Sequence, residues 1–401
     1  MTALRILHVV PYYEQAWAYG GIPRLVTTMT RALARRGHHV TVCTTDVRDD
    51  RTRASSTVSG EPGIEVRMFP NLSNAVAYHL QFFTPIGLRA YLAQAAATFD
   101  IAHIHACHNL PGVIAAAELS RARVPYVVSP NGTARPIERR IIAKHVFALT
   151  AGRRMLVEAA RIIAVSLAEK AQLLALGIDQ SAIDYVPNPI DESEFEQAPD
   201  AAGFRARAGI GEAPMVLFLG KLTPRKGVEG LVRAFASLAR PGVLLVIAGN
   251  DMGTGNAIDS LVRHLGVDHL VTRVGLLTGS ERLDALAAAN VVVYPSRDEI
   301  FGLVPLEALL SGTPVIVCND SGCGEVITAT GGGLVVPHAD AAALSDAVDA
   351  ILADEPAWRA RARTAAGVAR RLFAADVVCD DLESLYANVI ASTSTSSRMP
   401  A

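Results

Sequence analysis

Short apolar runs alternate with amphipathic stretches along the chain, and the alternation predicts strands and helices taking turns. Leu4 to Val10 reads as a buried strand, Pro23 to Arg36 carries Leu25, Val26, Met29 and Leu33 at helical spacing, and Val40 to Thr45 gives the next strand. Further strands are expected at Ile101 to His105, Pro125 to Ser129, Arg161 to Val165 and Asp184 to Val186, with Pro187-Asn188-Pro189 following as an interdomain hinge. The pattern then resumes: strand Val216 to Gly220, helix Val228 to Ala239, strand Val243 to Ala248, helix Ala257 to Leu265, strand Val271 to Val274, helix Glu281 to Ala289 and strand Val291 to Tyr294. Beyond Trp358 the chain reads as helical, and the polar tail from Ser392, STSTSSRMPA, is expected to be disordered. Strand, loop, helix, strand is the order of a doubly wound α/β domain, whose ligands sit beyond the carboxyl ends of the strands. Two such halves are expected.

Composition agrees with that division. A chain of 401 residues exceeds what one hydrophobic core usually serves. Half the residues are hydrophobic and 19% are charged, a balance that can build large buried parallel sheets. Mean hydropathy is +0.28, high enough to bring membrane contact into consideration. No run reaches the roughly 18 uncharged apolar residues that span a bilayer. The opening MTALRILHVVPYY lacks the basic region, long apolar stretch and cleavage site of a secretory signal, so a cytoplasmic location is expected. Cys43, Cys107, Cys318, Cys323 and Cys379 are odd in number and form no C-x-x-C pair, which indicates neither a disulfide framework nor a zinc site. A net charge of −2 offers nucleic acid no general attraction. Neither half holds a complete G-x-G-x-x-G, since Gly253-Thr254-Gly255 runs on into Asn256, Ala257 and Ile258, so a dinucleotide-dependent dehydrogenase lacks its fingerprint.

Candidate chemistry concentrates in YPSRDEIFGLVPLEALLSGTPVIVCNDSGCGEV, which begins at Tyr294. A helix is expected from near Pro305, so Phe301, Gly302 and Leu303 offer backbone N–H groups at its N-terminus. Orphan donors and the helix dipole there favour an anion such as a diphosphate. Glu307, expected in the first turn, would oppose a phosphate but can accept from both hydroxyls of a ribose, since an ionised carboxylate has two acceptor oxygens. Glu299, on the preceding loop, can reach a sugar. In LFLGKLTPRKGVEGLVRAFA, Arg225 and Lys226 stand just ahead of a helix. Two fixed cations beside helix-terminal amides would stabilise a departing diphosphate, although an isolated Arg-Lys pair is as readily a solvated helix start. Gly20 and Gly21 permit the close backbone approach that a phosphate or sugar requires, as any tight turn would.

Glu299 and Glu307, eight positions apart and set among PS, FGLVPLEAL, SGTPVI and a later GGGLVVP, resemble the Glu-x7-Glu signature of retaining glycosyltransferases of family 4. The similarity runs through most of the chain. It implies a GT-B fold, two Rossmann-like domains facing a central cleft. Residues 1–187 would form the acceptor-side domain, 188–375 the nucleotide-sugar-binding domain, and 376–391 a helix crossing back to the first. It also implies transfer of a sugar, with retention, from a UDP- or GDP-sugar to a glycan or prenyl-diphosphate-linked glycan in surface-polysaccharide synthesis. In similar enzymes an Arg and a Lys of one motif bind the donor diphosphate. Here the usual Gly-Arg opening appears as Gly220-Lys221, which leaves Arg225 to supply the guanidinium beside Lys226. Many members place a histidine before a glycine to face the donor sugar, whereas this chain has Asn131 before Gly132 in SPNGT. Asparagine hydrogen-bonds sugar hydroxyls but shuttles no proton, so Asn131 is assigned to binding. On that pattern the leaving phosphate oxygen accepts the acceptor's proton on the donor's own face.

No Asp-x-Asp occurs in the chain, so metal-independent chemistry without a cofactor is expected. His103, His105 and His108 in HIHACHNLPG superficially suggest a metal cluster, but a carboxylate at suitable spacing is missing. The resemblance puts His105 and His108 at the acceptor cleft; core or rim histidines are the other reading. Residues 135–161 carry a net charge of +5 with apolar interleaving, which suits either an anionic lipid surface or an ordinary pair of surface helices. In similar enzymes this region faces a lipid-linked acceptor, which implies peripheral placement on the inner face of the cytoplasmic membrane. Nucleic acid is disfavoured because the patch lacks an aromatic platform. The same fold also serves sugar-nucleotide epimerases, and a non-catalytic nucleotide-sugar-binding subunit is a further alternative. The FGLVPLEA context around the two glutamates favours a transferase.

Overall fold

The apolar runs become the strands of two parallel sheets in the computed structural model, which describes residues 2–55, 61–134, 152–238 and 240–396. The chain divides into two units, Met1–Ile190 joined by Ala375–Ala401, and Asp191–Ala374. The division falls at 190 and 191, just beyond the expected 187 and 188. The sheets are buried on both faces, which is why their strands read as near-continuous Val, Ile and Leu rather than as alternating patterns.

In the first unit the strands are β1 (Arg5–Val9), β2 (His39–Thr45), β3 (Ile64–Phe69), β4 (Ile101–His105), β5 (Tyr126–Ser129), β6 (Arg161–Ala164) and β7 (Ile183–Tyr185). Among the described residues their order is β3-β2-β1-β4-β5-β6-β7, with every pairing parallel. Strand order reverses between β1 and β4, whose register sets His8 beside His103. One face packs the helices Gly21–Arg35 and Ala375–Ser396 through Leu25, Val26, Leu33, Val378, Leu382 and Tyr386. The other packs Leu88–Ala95 and Leu110–Ala122 through Leu88, Leu92, Ala115 and Leu119. Glu383 ties the helix Ala375–Ser396 to the chain before β2, accepting from Arg36 Nε at 2.8 Å and lying 2.9 Å from His38 Nε2. That helix continues to Ser396, past the Ser392 at which a disordered tail is expected.

The second unit holds β8 (Met215–Leu219), β9 (Leu244–Ala248), β10 (Val271–Gly275), β11 (Val291–Tyr294), β12 (Val315–Cys318) and β13 (Gly333–Val336). Their order among the described residues is β10-β9-β8-β11-β12-β13, again all parallel. Here the order reverses between β8 and β11. In an open α/β sheet the crevice beyond the carboxyl ends of such a strand pair is where ligands bind. The two segments singled out for chemistry, Gly220 to Lys226 and Pro295 to Leu303, are the loops that leave β8 and β11.

Candidate active site in the second unit

The loop after β8 tightens into one 3₁₀ turn, Pro224–Lys226, and then starts the helix Val228–Ala236 through Gly227. Gly227 sits at φ +70°, and a Cβ there would lie 2.3 Å from the carbonyl oxygen of Pro295, so only glycine lets this loop close on the loop after β11. The turn buries Lys226, whose Nζ donates to the hydroxyl of Tyr294 and to Glu299 Oε2, and stands 4.7 Å from the centre of the Tyr294 ring. Arg225 donates from Nη1 to the backbone oxygen of Asp298 at 3.3 Å. Arg225 and Lys226 therefore both reach the loop that carries Glu299.

Glu299 Oε2 also accepts from Ser296 Oγ at 3.0 Å and from the Tyr294 hydroxyl at 3.3 Å. Burial alone would raise the Glu299 carboxyl, but the charge of Lys226, then that of Arg225, with hydrogen bonds from Lys226 and Ser296, bring it down to about 2. Glu299 is thus held ionised. Burial, and then the same carboxylate, push the Tyr294 phenol well above its ordinary value, so it stays protonated as a donor.

The helix after β11 runs Leu303–Leu310 with Gly302 at its N-cap. It starts two residues before the expected Pro305, and Glu307 consequently lies in the second turn rather than the first. Proline is tolerated throughout a first turn, where the missing N–H has no partner within the helix. Phe301 is buried against Phe373, ring centres 5.3 Å apart at 89°, and Gly302 adopts φ +81° beside Cys323 Sγ. Phe301, Gly302 and Leu303 therefore form the N-terminal approach to this helix. Glu307 is 2% exposed, and its Oε2 accepts from Arg282 Nη1 at 2.5 Å. Arg282 Nη2 donates to Glu194 Oε2 at 2.5 Å. Sequence reasoning missed Arg282 and Glu194. Arg282 had a local signal, since it shares the i, i+3, i+4, i+7 stripe of its helix with Ala285, Leu286 and Ala289, all buried. Glu194, 88 positions from Arg282, had none.

A cavity of about 300 Å³ lies on the same unit, lined by Gly227, Pro295, Cys318, Val336 and His338 among others. Glu299, Glu307 and Lys226 do not line it.

The remaining candidates lie in the first unit. Gly20 (φ +99°) caps the helix that Gly21 opens, in the segment that follows β1. Asn131, after β5, sits at φ +50° and donates from Nδ2 to the Ser129 oxygen at 3.3 Å, while its Oδ1 finds no hydrogen-bond partner among the described residues. The N–H of Gly132 donates to Glu169 Oε1 at 2.6 Å. His108, on the loop after β4, has its Nε2 2.9 Å from the oxygen of Ala134, which follows β5. His105 is fully buried, as the core reading of these histidines has it. Its Nε2 lies 2.9 Å from His8 Nδ1, and its ring stacks on His103 at 4.1 Å and on His8 at 5.2 Å. The histidine cluster is therefore His8, His103 and His105, with His108 outside it; ligand atoms of the three lie within 4.8 Å of one another. Stacked rings do not aim their lone pairs at one point, and both nitrogens of His103 are engaged, with Tyr386 Oη and Ser129 Oγ at 2.7 Å each. The arrangement suits a hydrogen-bonded core stack. The basic region 135–161 lies mostly outside the described residues.

The family model described as glycosyl transferases group 1 matches residues 202–367, and that described as glycosyltransferase family 4 matches 19–194. The chain is 31% identical over 387 residues to the D-inositol 3-phosphate glycosyltransferase of Kineococcus radiotolerans, covering 89% of this chain and 88% of that protein. It is 31% identical over 361 residues to the D-inositol 3-phosphate glycosyltransferase of Mycolicibacterium smegmatis, covering 86% and 81%. Among solved structures, Anabaena HepE in complex with UDP and glucose superposes with a TM-score of 0.77 at 20% identity, covering 96% of this chain and 99% of that one. Sucrose-phosphate synthase from Thermosynechococcus elongatus gives 0.77 at 23% identity, with 97% and 100% covered. These neighbours share the GT-B fold with the chain.

Proposed function

The chain belongs to the family 4 glycosyltransferases, and on that premise we propose that it transfers a sugar, with retention of anomeric configuration, from a UDP- or GDP-sugar to a hydroxyl acceptor. The observation that carries the reading is the convergence of Lys226, Arg225 and Glu299 on the loops leaving β8 and β11, the pair at which strand order reverses, with Glu307 in the helix that follows the second loop. Lys226 and Arg225, with the N–H groups at Phe301, Gly302 and Leu303, take the donor diphosphate and neutralise it as it leaves. Ionised Glu299 accepts from the sugar hydroxyls, and Glu307 from the ribose. In the first unit, Gly20, Gly21 and Asn131 are the proposed ligand-facing groups. The chemistry is proposed to need no metal, the fixed cations doing the work of charge neutralisation. The leaving phosphate oxygen accepts the acceptor's proton.

The proposed acceptor is a glycan or prenyl-diphosphate-linked glycan of a surface-polysaccharide pathway, with peripheral contact to anionic lipid through 135–161. No helix among the described residues is long and apolar enough to cross a membrane. The activity named for the curated relatives favours a second reading, a small phosphorylated polyol as acceptor.

Thermal stabilisation by UDP, GDP and their sugar conjugates, measured with EDTA present, tests the donor site. A shift for one base, lost in Lys226→Ala and Glu307→Ala, is expected; folded protein that responds to no nucleotide overturns it. Turnover with each acceptor class then separates the two acceptors, and the product's anomeric proton coupling reports retention or inversion.

A further inference from the structure

Arg282 and Glu194 take no part in the family signature, yet they form a continuous chain of charge ending on Glu307. The Arg282 side chain is 11% exposed and that of Glu307 3%, with Glu194 at 28% on the outer end. Each end of the guanidinium holds one carboxylate, Nη1 on Glu307 and Nη2 on Glu194, both at 2.5 Å. A planar fork between two acceptors has little rotational freedom, so the Glu307 carboxylate is fixed in orientation through its Oε2. The same contact sets a cation directly against this deeply buried carboxylate, which without it would be left uncompensated and free to turn away. A displaced Glu307 could not accept from two neighbouring hydroxyls.

We infer that Arg282 is a positioning residue for the ribose, held in place by Glu194, and that it sets how strongly the enzyme prefers a ribonucleotide to a deoxyribonucleotide. This rests on the reading of Glu307 as the ribose anchor. Arg282 itself touches no substrate; it acts by presenting Glu307.

The test compares dissociation constants of the cognate nucleoside diphosphate, UDP or GDP, with those of its 2′-deoxy form. Wild type is expected to prefer the ribo form by about tenfold or more, the share that a hydrogen bond to a charged group contributes. Arg282→Ala brings the ratio to within about threefold, and Arg282→Lys gives an intermediate ratio because an ammonium cannot bridge both carboxylates. Glu194→Gln shifts the ratio the same way by less, and with Arg282→Lys it carries the test if Arg282→Ala does not fold. Equal loss of affinity for both nucleotides in all three variants, with the ratio kept, shows a merely structural Arg282 and overturns the inference. Glu307→Ala separates the two levels. If it abolishes the preference while the Arg282 and Glu194 variants keep it, only the inference fails; if it keeps the full preference, the ribose reading of Glu307 fails as well.

Discussion

Lys226 and Glu299 face each other across the two loops of the site, and each is the other's principal counter-charge. Removing one leaves a buried charge uncompensated, a situation that costs about 3 kcal/mol or more. Lys226→Met and Glu299→Gln should therefore each destabilise the second unit. The double variant should lose less than the sum, with a coupling of roughly 1–3 kcal/mol by urea denaturation; strictly additive losses would show that the pair does not act together. The Glu299 carboxyl lies below its ordinary 4.5, at about 2, so the folded state favours its ionised form. Its contribution is complete above about 4.5 and is lost as pH falls towards about 2. These partners were legible only in part. Glu299, Glu307 and Lys226 sit in local motifs, whereas the Arg282–Glu194 contact spans 88 positions and Glu194 leaves no local trace of it. The sequence leaves His105 between the acceptor cleft and the core or rim, because a strand end in sequence does not tell a buried end from an open one; in the structure it is buried. Its neighbour His8 comes from a strand 97 positions away.

At the scale of elements, strands buried on both faces could be read from apolar runs alone, and Ile101–His105 and Val291–Tyr294 fall where the runs lie. The edge strand Ile64–Phe69 was not legible: IEVRMF interleaves charge with apolar residues, and Glu65 and Arg67 are exposed, as an edge allows. The helix start at Leu303 depends on Gly302, whose φ of +81° and whose would-be Cβ, 2.2 Å from Cys323 Sγ, admit no other residue without strain. Gly302→Ala should cost about 2 kcal/mol or more and weaken nucleotide binding. Adding Cys323→Ala should return the steric share but not the backbone share. Melting and nucleotide affinity matching wild type in Gly302→Ala would remove this helix start from the site.

At the scale of the molecule, acid should act on the two units unequally. Burial holds His8, His103 and His105 in the first unit neutral, His8 down to about 3 against an ordinary 6.5. The unfolded chain binds the extra protons, so their contribution is full above about 6.5 and falls as pH drops towards about 3. For His8 alone the loss between pH 7 and 5 is roughly 2 kcal/mol. Glu169, raised to about 7 by burial in spite of hydrogen bonds from Gly132 and Val165, works the other way, since its contribution grows as pH falls from 7 towards 4.5. Three histidines outweigh one glutamate. Hydrogen exchange at pH 5, corrected for intrinsic rates, should show β1 and β4 losing protection relative to β8 and β11; equal protection in the two sheets would contradict this balance.

The helix Ala375–Ser396 supplies Val378, Leu382 and Tyr386 to the core of the first unit, although the whole second unit precedes it in the chain. Order of synthesis and order of completion are therefore inverted. As the polypeptide leaves the ribosome, the second unit has its full sequence once Ala374 has emerged. The first, begun earlier, keeps one face of its sheet and the Tyr386 partner of His103 waiting until the remaining residues arrive. A nascent chain halted near that point should present a protease-resistant second unit and a protease-sensitive first one.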